Sequence, residues 1–260
     1  AQTVVPTNNV YDVHWSSPAY TPDANWTTGP TGIGYGQSTS GFSVRNYKAA
    51  PGIDVSNISV AEEIPGDPSK YSSVVAGTYG VINFHGSGGD SGYYGGNAPF
   101  PGGQLNVEVD HFVIVVDAVV TIPSAGNWTF GVRSDDGFRL DVGDFTAAFP
   151  GPRGPGDTLA TFSFDAAGDY PLQLIFFERT GGSMLELFAA QGSFGSWNNT
   201  NFRLVGHTAA GGLAVKSFPQ NSEGYSLQQF LGTDLGSQMQ NVNSAFYTRI
   251  PFHVDDPSEL

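Results

Sequence analysis

From Phe42 onward, apolar and polar side chains alternate in short runs broken by glycine. Trp128, Phe130 and Val132 alternate with Thr129, Gly131 and Arg133. Phe138, Leu140 and Val142 alternate with Arg139 and Asp141. A period of two with one apolar face marks a half-buried strand. The two runs predict a pair of strands joined at the turn Ser134-Asp135-Asp136-Gly137. Residues 104–121 are rich in β-branched side chains and predict a central strand. Further strands are expected over 42–49, 72–75, 79–84 and 158–164. Runs over 170–179 and 183–189, broken by Gly181-Gly182, predict a second hairpin. Residues 58–64 read as a short helix or strand. Near the end, Leu235, Met239 and Val242 share one face of a helix expected over 234–242, capped by Thr233 or Asp234. Phe246, Thr248, Ile250, Phe252 and Val254 then alternate as a strand. The first 40 residues are irregular, and Trp15, Trp26 and Tyr35 are expected to pack against later segments.

The composition agrees with this pattern. With 35 Gly, 17 Pro and 13% aromatic residues in 260 positions, the chain suits many short strands joined by loops. Its length allows one large all-β domain or two smaller ones. The formal charge of -14 argues against nucleic-acid backbones and anionic membranes and favours cations. Cysteine is absent, so disulfides and thiolate metal sites are excluded. No apolar run has transmembrane length, so no membrane insertion is expected. The Ala1-Gln2 start suits a chain from which a signal peptide was removed, and the end at Leu260 suits a piece of a longer protein.

Asp135 and Asp136 are the chemically conspicuous pair. Adjacent carboxylates repel unless something neutralises them, and on a regular strand they point to opposite faces. They meet on one cation only where the backbone is bent. The plainer reading is an Asp-Gly hairpin turn. The loop over 85–97 contains Gly89-Asp90-Ser91-Gly92, but Tyr93 stands where a trypsin-like nucleophile loop has glycine. It also lacks the Lys-Ser/Thr ending of a phosphate loop. It reads as an exposed loop or as a ligand rim, with Tyr93 or Tyr94 stacking on a sugar ring. Glu178 and Glu186 are candidates for a glycosidase pair, but nothing in the sequence sets their separation. The five histidines show no ligand spacing.

The run Ile122-Pro123, Gly126-Asn127-Trp128-Thr129-Phe130 and Ser134-Asp135-Asp136-Gly137-Phe138-Arg139-Leu140 resembles the core motif of PA14 domains. So does Gly168-Asp169-Tyr170-Pro171-Leu172 followed by Phe177-Glu178-Arg179-Thr180-Gly181-Gly182-Ser183-Met184-Leu185-Glu186-Leu187. The resemblance implies an all-β antiparallel β-sandwich over residues 41–212. The flanks, 1–40 and 213–260, resemble parts of a second small β-rich module and are expected to pack together. In lectin-type members an adjacent Asp pair joined by a cis peptide binds Ca²⁺, which in turn binds sugar hydroxyls. Asp135 and Asp136 match that pair. The further metal ligands would come from a later loop, where Asn198, Asn199 and Asn201 are the candidates. Tyr93, Tyr94 and Trp197 complete the candidate ligand-binding set. The implied function is a non-catalytic, Ca²⁺-dependent carbohydrate-binding or adhesion module of a secreted, cell-surface bacterial protein, with a glycan as partner. The alternative is a structural module that joins copies of itself, or other modules of the same protein, by strand addition through residues 245–260.

Overall fold

The computed structural model describes residues 39–217, together with short strands at 2–4, 27–28, 33–34, 233–234 and 247–249. In chain order the strands are β1 (Gln2–Val4), β2 (Thr27–Thr28), β3 (Ile33–Gly34), β4 (Thr39–Ser40), β5 (Phe42–Ala49), β6 (Tyr71–Tyr79), β7 (Asn83–His85), β8 (Phe112–Ile122) and β9 (Gly126–Asp135). They continue with β10 (Phe138–Val142), β11 (Phe145–Phe149), β12 (Gly156–Phe164), β13 (Gly168–Glu178), β14 (Met184–Gln191), β15 (Arg203–Leu204), β16 (Val215–Ser217), β17 (Thr233–Asp234) and β18 (Tyr247–Arg249). One helix, α1 (Ile58–Glu63), is capped by Asn57, whose side-chain oxygen accepts the Val60 N–H at 3.1 Å.

The chain divides into two compact units, Ser38–Tyr225 and a unit formed by Ala1–Gln37 with Ser226–Leu260. In the smaller unit β1 pairs with both β2 and β18, and β3 pairs in parallel with β17. Of the helix expected over 234–242, Asp234 belongs to β17, and residues 235–242 lie outside the described residues, as do the aromatics Trp15, Trp26 and Tyr35.

The larger unit is an antiparallel β-sandwich. An eight-stranded sheet runs β11-β10-β13-β8-β16-β4, with β5 on β8 and β6 on β5. A five-stranded sheet runs β12-β9-β14-β15, with β7 on β14. Inward positions of both sheets fill one core, including Phe42, Val44, Ile114, Val116, Phe130, Val132, Leu174, Phe176, Leu185 and Leu187. Each fully buried side chain of this size contributes about 1.5–3 kcal/mol relative to exposure. The outer faces are covered in part. Helix α1 lays Ile58 and Ala61 on Val113, Val115 and Phe177. Phe202, Tyr94, Phe194 and Trp197 cover Phe188 and Ala190. Burial on both faces explains the unbroken apolar run that begins β8.

Four sequence expectations change. The runs around Asp135-Asp136 are not a hairpin: β9 lies in the five-stranded sheet and β10 in the eight-stranded one. The pair β13 and β14 is likewise split between sheets. Alternation reports which face of a strand is apolar and is the same on either side of a sandwich. Residues 104–111 also pair with no described strand, so β8 begins at Phe112. At the other end, Leu213 and Val215 belong to the core, and β16 pairs with β8, so the sandwich runs past residue 212.

Candidate functional site

Two of the crossings between sheets lie at the same end of the sandwich. One is 135–137, between β9 and β10. The other is 179–183, between β13 and β14. Gly137 makes the first crossing possible: a Cβ there would stand 2.5 Å from the Gly151 carbonyl oxygen and 2.6 Å from the Phe177 ring. The second crossing is tied to the first. Asp136 Oδ2 accepts the Arg179 N–H at 2.9 Å, and its Oδ1 accepts the Arg153 N–H at 2.8 Å. The Asp135–Asp136 peptide bond is cis.

These crossings bring three carboxylates together. Oxygens of Asp135, Asp136 and Glu178 lie within 4.8 Å of one another. Glu178 follows Leu172, Leu174 and Phe176 in the inward register of β13, so its carboxylate ends the core face between the sheets. It is fully buried, and neither oxygen has a hydrogen-bond partner among the described residues. Burial, followed by the negative charges of Asp136, Asp135 and Asp110, pushes its carboxyl up to about 10. The Asp136 N–H offsets a little of this without reaching hydrogen-bond geometry. Burial and the Asp136 charge push Asp135 up to about 7. Asp136 is also raised, by burial, against the pull of its backbone donors.

Positive charge stands near but is committed elsewhere. The Arg153 guanidinium donates to Thr158 Oγ1 and Ser134 Oγ and sits 4.5 Å over the Phe149 ring. Arg179 pairs with Asp54 through two bonds of 2.8 and 2.9 Å. Among the described residues no ion pair reaches any of the three carboxylates. Such a group of buried acids needs protons or a cation. The oxygens are hard donors, and their spacing suits one ion with Ca²⁺-like bonds of about 2.3–2.6 Å. The residues present therefore fit Ca²⁺.

The loop over 85–97 is held beside this end. Glu186 is fully buried, and its two oxygens accept the N–H groups of Tyr93 and Tyr94, each at 2.9 Å. Arg133 bridges the loop to the sheet, donating to Asp90 and to Asp157. Tyr93 donates its hydroxyl to Asp157 at 2.5 Å, and burial, reinforced by Asp157, pushes it up to about 12. Its ring stacks on Trp197 at 3.9 Å, with Arg133 4.5 Å over the ring. The indole N–H of Trp197 donates to the Tyr94 hydroxyl at 3.2 Å.

The structure thus joins Tyr93, Tyr94 and Trp197 in one cluster and Asp135 with Asp136 in another. Tyr93 has Trp197 against one face and Arg133 over the ring, so it is a pillar of the loop with only its edge open. Asn198 Oδ1 accepts both the backbone N–H and the side-chain amide of Asn201, at 2.9 Å each. The Asn199 carbonyl accepts from Arg203. Among the described residues no hydrogen bond joins these asparagines to the aspartates. Glu178 takes the third place in the acidic cluster. Its signal in the sequence was an acid at the inward register of an otherwise apolar strand face.

The model of the PA14 domain matches residues 104–190. No curated protein matches the chain. Among solved structures, the PA14 domain of the MpAFP antifreeze protein is 15% identical, with a TM-score of 0.46 over 68% of this chain and 88% of that one. A PA14 sugar-binding domain from an RTX adhesin is 18% identical, with a TM-score of 0.42 over 62% and 97%. The epithelial adhesin 6 A domain from Candida glabrata, in complex with Galb1-3GlcNAc, is 14% identical, with a TM-score of 0.43 over 64% and 88%. The stretch matched by the PA14 model, residues 104–190, holds both of these crossings and the acidic cluster, and it includes the motifs that resemble that family.

Proposed function

We propose that this sandwich is a non-catalytic glycan-binding module of an extracellular adhesion protein, and that Asp135, Asp136 and Glu178 hold a Ca²⁺ ion. The observation that carries the reading is the Glu178 carboxylate, fully buried, without a hydrogen bond, and aimed at two further carboxylates. A bound Ca²⁺ supplies the positive charge this cluster lacks and takes six to eight oxygens. Three carboxylates leave room in that shell for backbone carbonyls, water and vicinal sugar hydroxyls.

The protein's own residues prepare the site. The Arg153 and Arg179 N–H groups fix Asp136. Ser134 ties the bend by donating its hydroxyl to the Asp136 carbonyl at 2.6 Å. Glu186 and Arg133 hold the 85–97 loop, and the stack of its Tyr93 on Trp197 gives the rim a fixed aromatic edge beside which a sugar can lie. Among the described residues no helix is long and apolar enough to cross a membrane.

Two measurements test the reading separately. Calorimetric titration of the EDTA-stripped protein with Ca²⁺ should show one site that Asp135→Asn removes. A glycan array probed with and without EGTA should show Ca²⁺-dependent binding to at least one sugar class. Absence of Ca²⁺ uptake at millimolar ion sinks the metal site. Uptake with an empty array leaves the ion and sinks the glycan.

A further inference from the structure

Strand β6 is an edge of the eight-stranded sheet: it pairs with β5, and among the described residues no second strand joins it. Its nine residues, Tyr71–Tyr79, contain neither charge nor proline. Charge and proline are the usual devices that keep a sheet edge from recruiting another strand. Among the described residues five large apolar side chains are exposed, and four of them lie on this strand or on the segment before β8. Val74 (46% exposed) and Val75 (41%) are on β6 itself. Leu105 (44%) and Val107 (43%) stand on the unpaired segment before β8. Val75 and Val107 border a cavity of about 200 Å³, floored by Phe100, Val109 and Phe112.

The occupant follows from the order of residues on β6. Set antiparallel to itself about Val75, the strand places Val75 opposite Val75, Val74 opposite Ala76, and Ser73 opposite Gly77. Every facing pair is uncharged, with β-branched or small residues on both sides. The irregularity at Lys48/Ala49 in the pairing with β5 falls outside these five positions. A chain of formal charge -14 opposes its own copies over most of its surface. Strand β6 itself carries no carboxylate, so two copies of this strand can approach without acids facing each other along it. We propose that β6 is a self-association edge: two copies join antiparallel about Val75 across a two-fold axis, making one continuous sheet and closing both apolar cavities. A two-fold contact of this kind uses the same patch on both partners. Main-chain hydrogen bonds supply its cohesion, as in strand addition.

The absence of cysteine makes the test direct. Facing Cα atoms of antiparallel strands lie about 4.5–5.5 Å apart, within the range a disulfide spans. The Val75→Cys chain should form a disulfide-linked dimer under mild oxidation, while Ala148→Cys, exposed on the opposite edge strand β11, should not. Sedimentation of the unmodified chain should show a concentration-dependent dimer. Val75→Lys should abolish it with the thermal midpoint unchanged, since that side chain is already exposed. A chain that stays monomeric into the millimolar range overturns the proposal. So does equal cross-linking of both cysteine variants. A foreign extended peptide that protects the β6 amides of a monomer from hydrogen exchange also overturns it, by giving the edge a different occupant.

Discussion

Glu178, the last residue of β13, and Asp135, the last residue of β9, bring carboxylate oxygens within 4.8 Å of each other from opposite sheets of the sandwich. Neither lies on the other's strand or sheet. Their approach follows from two crossings stacked at one end, and the buried Asp136 between them is fixed by backbone N–H groups from the segments around Arg153 and Arg179. An arrangement that holds three acids this close, with the deepest one unpaired, is stable only with protons or a cation in it.

Glu178→Gln replaces the deepest carboxyl, which burial keeps protonated in the metal-free protein at pH 8, with a neutral amide of nearly the same shape. At pH 8 the metal-free variant is expected to unfold at higher urea than the parent chain. Its Ca²⁺ affinity is expected to fall at least tenfold, or about 1.4 kcal/mol. Titration calorimetry and urea melts read the two effects. Unchanged affinity would remove Glu178 from the cation site.

The raised carboxyls set the pH dependence of the metal-free protein. Asp135 is raised from 3.8 to about 7, and Glu178 from 4.5 to about 10. Between those limits the folded chain binds more protons than the unfolded chain, so stability falls as pH rises. Asp90 and Asp169 are lowered instead, Asp90 chiefly by the Gly92 N–H and Asp169 by Lys216. Their contribution is lost only in acid below the usual carboxylate range, outside this window. Thermal midpoints in EDTA should therefore decline from pH 5 to pH 8. Added Ca²⁺, which binds the ionised carboxylates, should raise the midpoint more at pH 8 than at pH 5. A metal-free protein more stable at pH 8 contradicts the buried-acid picture.

Asp136→Ala leaves the Arg153 and Arg179 N–H groups without their acceptor, at about 1–3 kcal/mol for each buried group. Asp136→Asn keeps one acceptor oxygen and should lose less. Denaturant unfolding of the two variants should rank them parent, Asn, Ala. An Ala variant as stable as the parent would show that water replaces the carboxylate at no cost.

Glu186→Ala unties the 85–97 loop by removing the acceptor of Tyr93 and Tyr94. Gly92→Ala should act on the same contact. Gly92 sits at φ +91, and a Cβ there would fall 2.2 Å from Glu186 Oε1. Both variants are expected to lose near-ultraviolet circular dichroism from the Tyr93–Trp197 stack and amide protection over 85–97, while the β9–β14 ladder keeps its protection. Protection lost throughout the sandwich would mean that the loop anchors the whole fold.

Much of this protein is legible from the order of its residues. Short alternating runs with few charges make strands that bury one face, and 35 glycines allow the turns between them, so an all-β chain of short strands follows from local chemistry, and the family resemblance adds the sandwich. The acidic pair also stands out, because adjacent carboxylates need a reason. Other features are not legible. Alternation assigns a face but no sheet, so β9 with β10, and β13 with β14, read as hairpins when each pair spans the sandwich. The candidates Asn198, Asn199 and Asn201 come from the family resemblance, whereas Glu178, which the structure brings to Asp135 and Asp136, lies 42 residues after Asp136 in the chain, at the end of the core face of β13. The stacking of Tyr93 on Trp197 and the buried hold of Glu186 on its loop depend equally on contacts distant in sequence. The sequence by itself determined strand character, apolar faces and the place of the acidic pair, because these arise from neighbours along the chain. The tertiary structure alone decided which strands share a sheet and which carboxylates share a pocket, because crossings between sheets set those meetings.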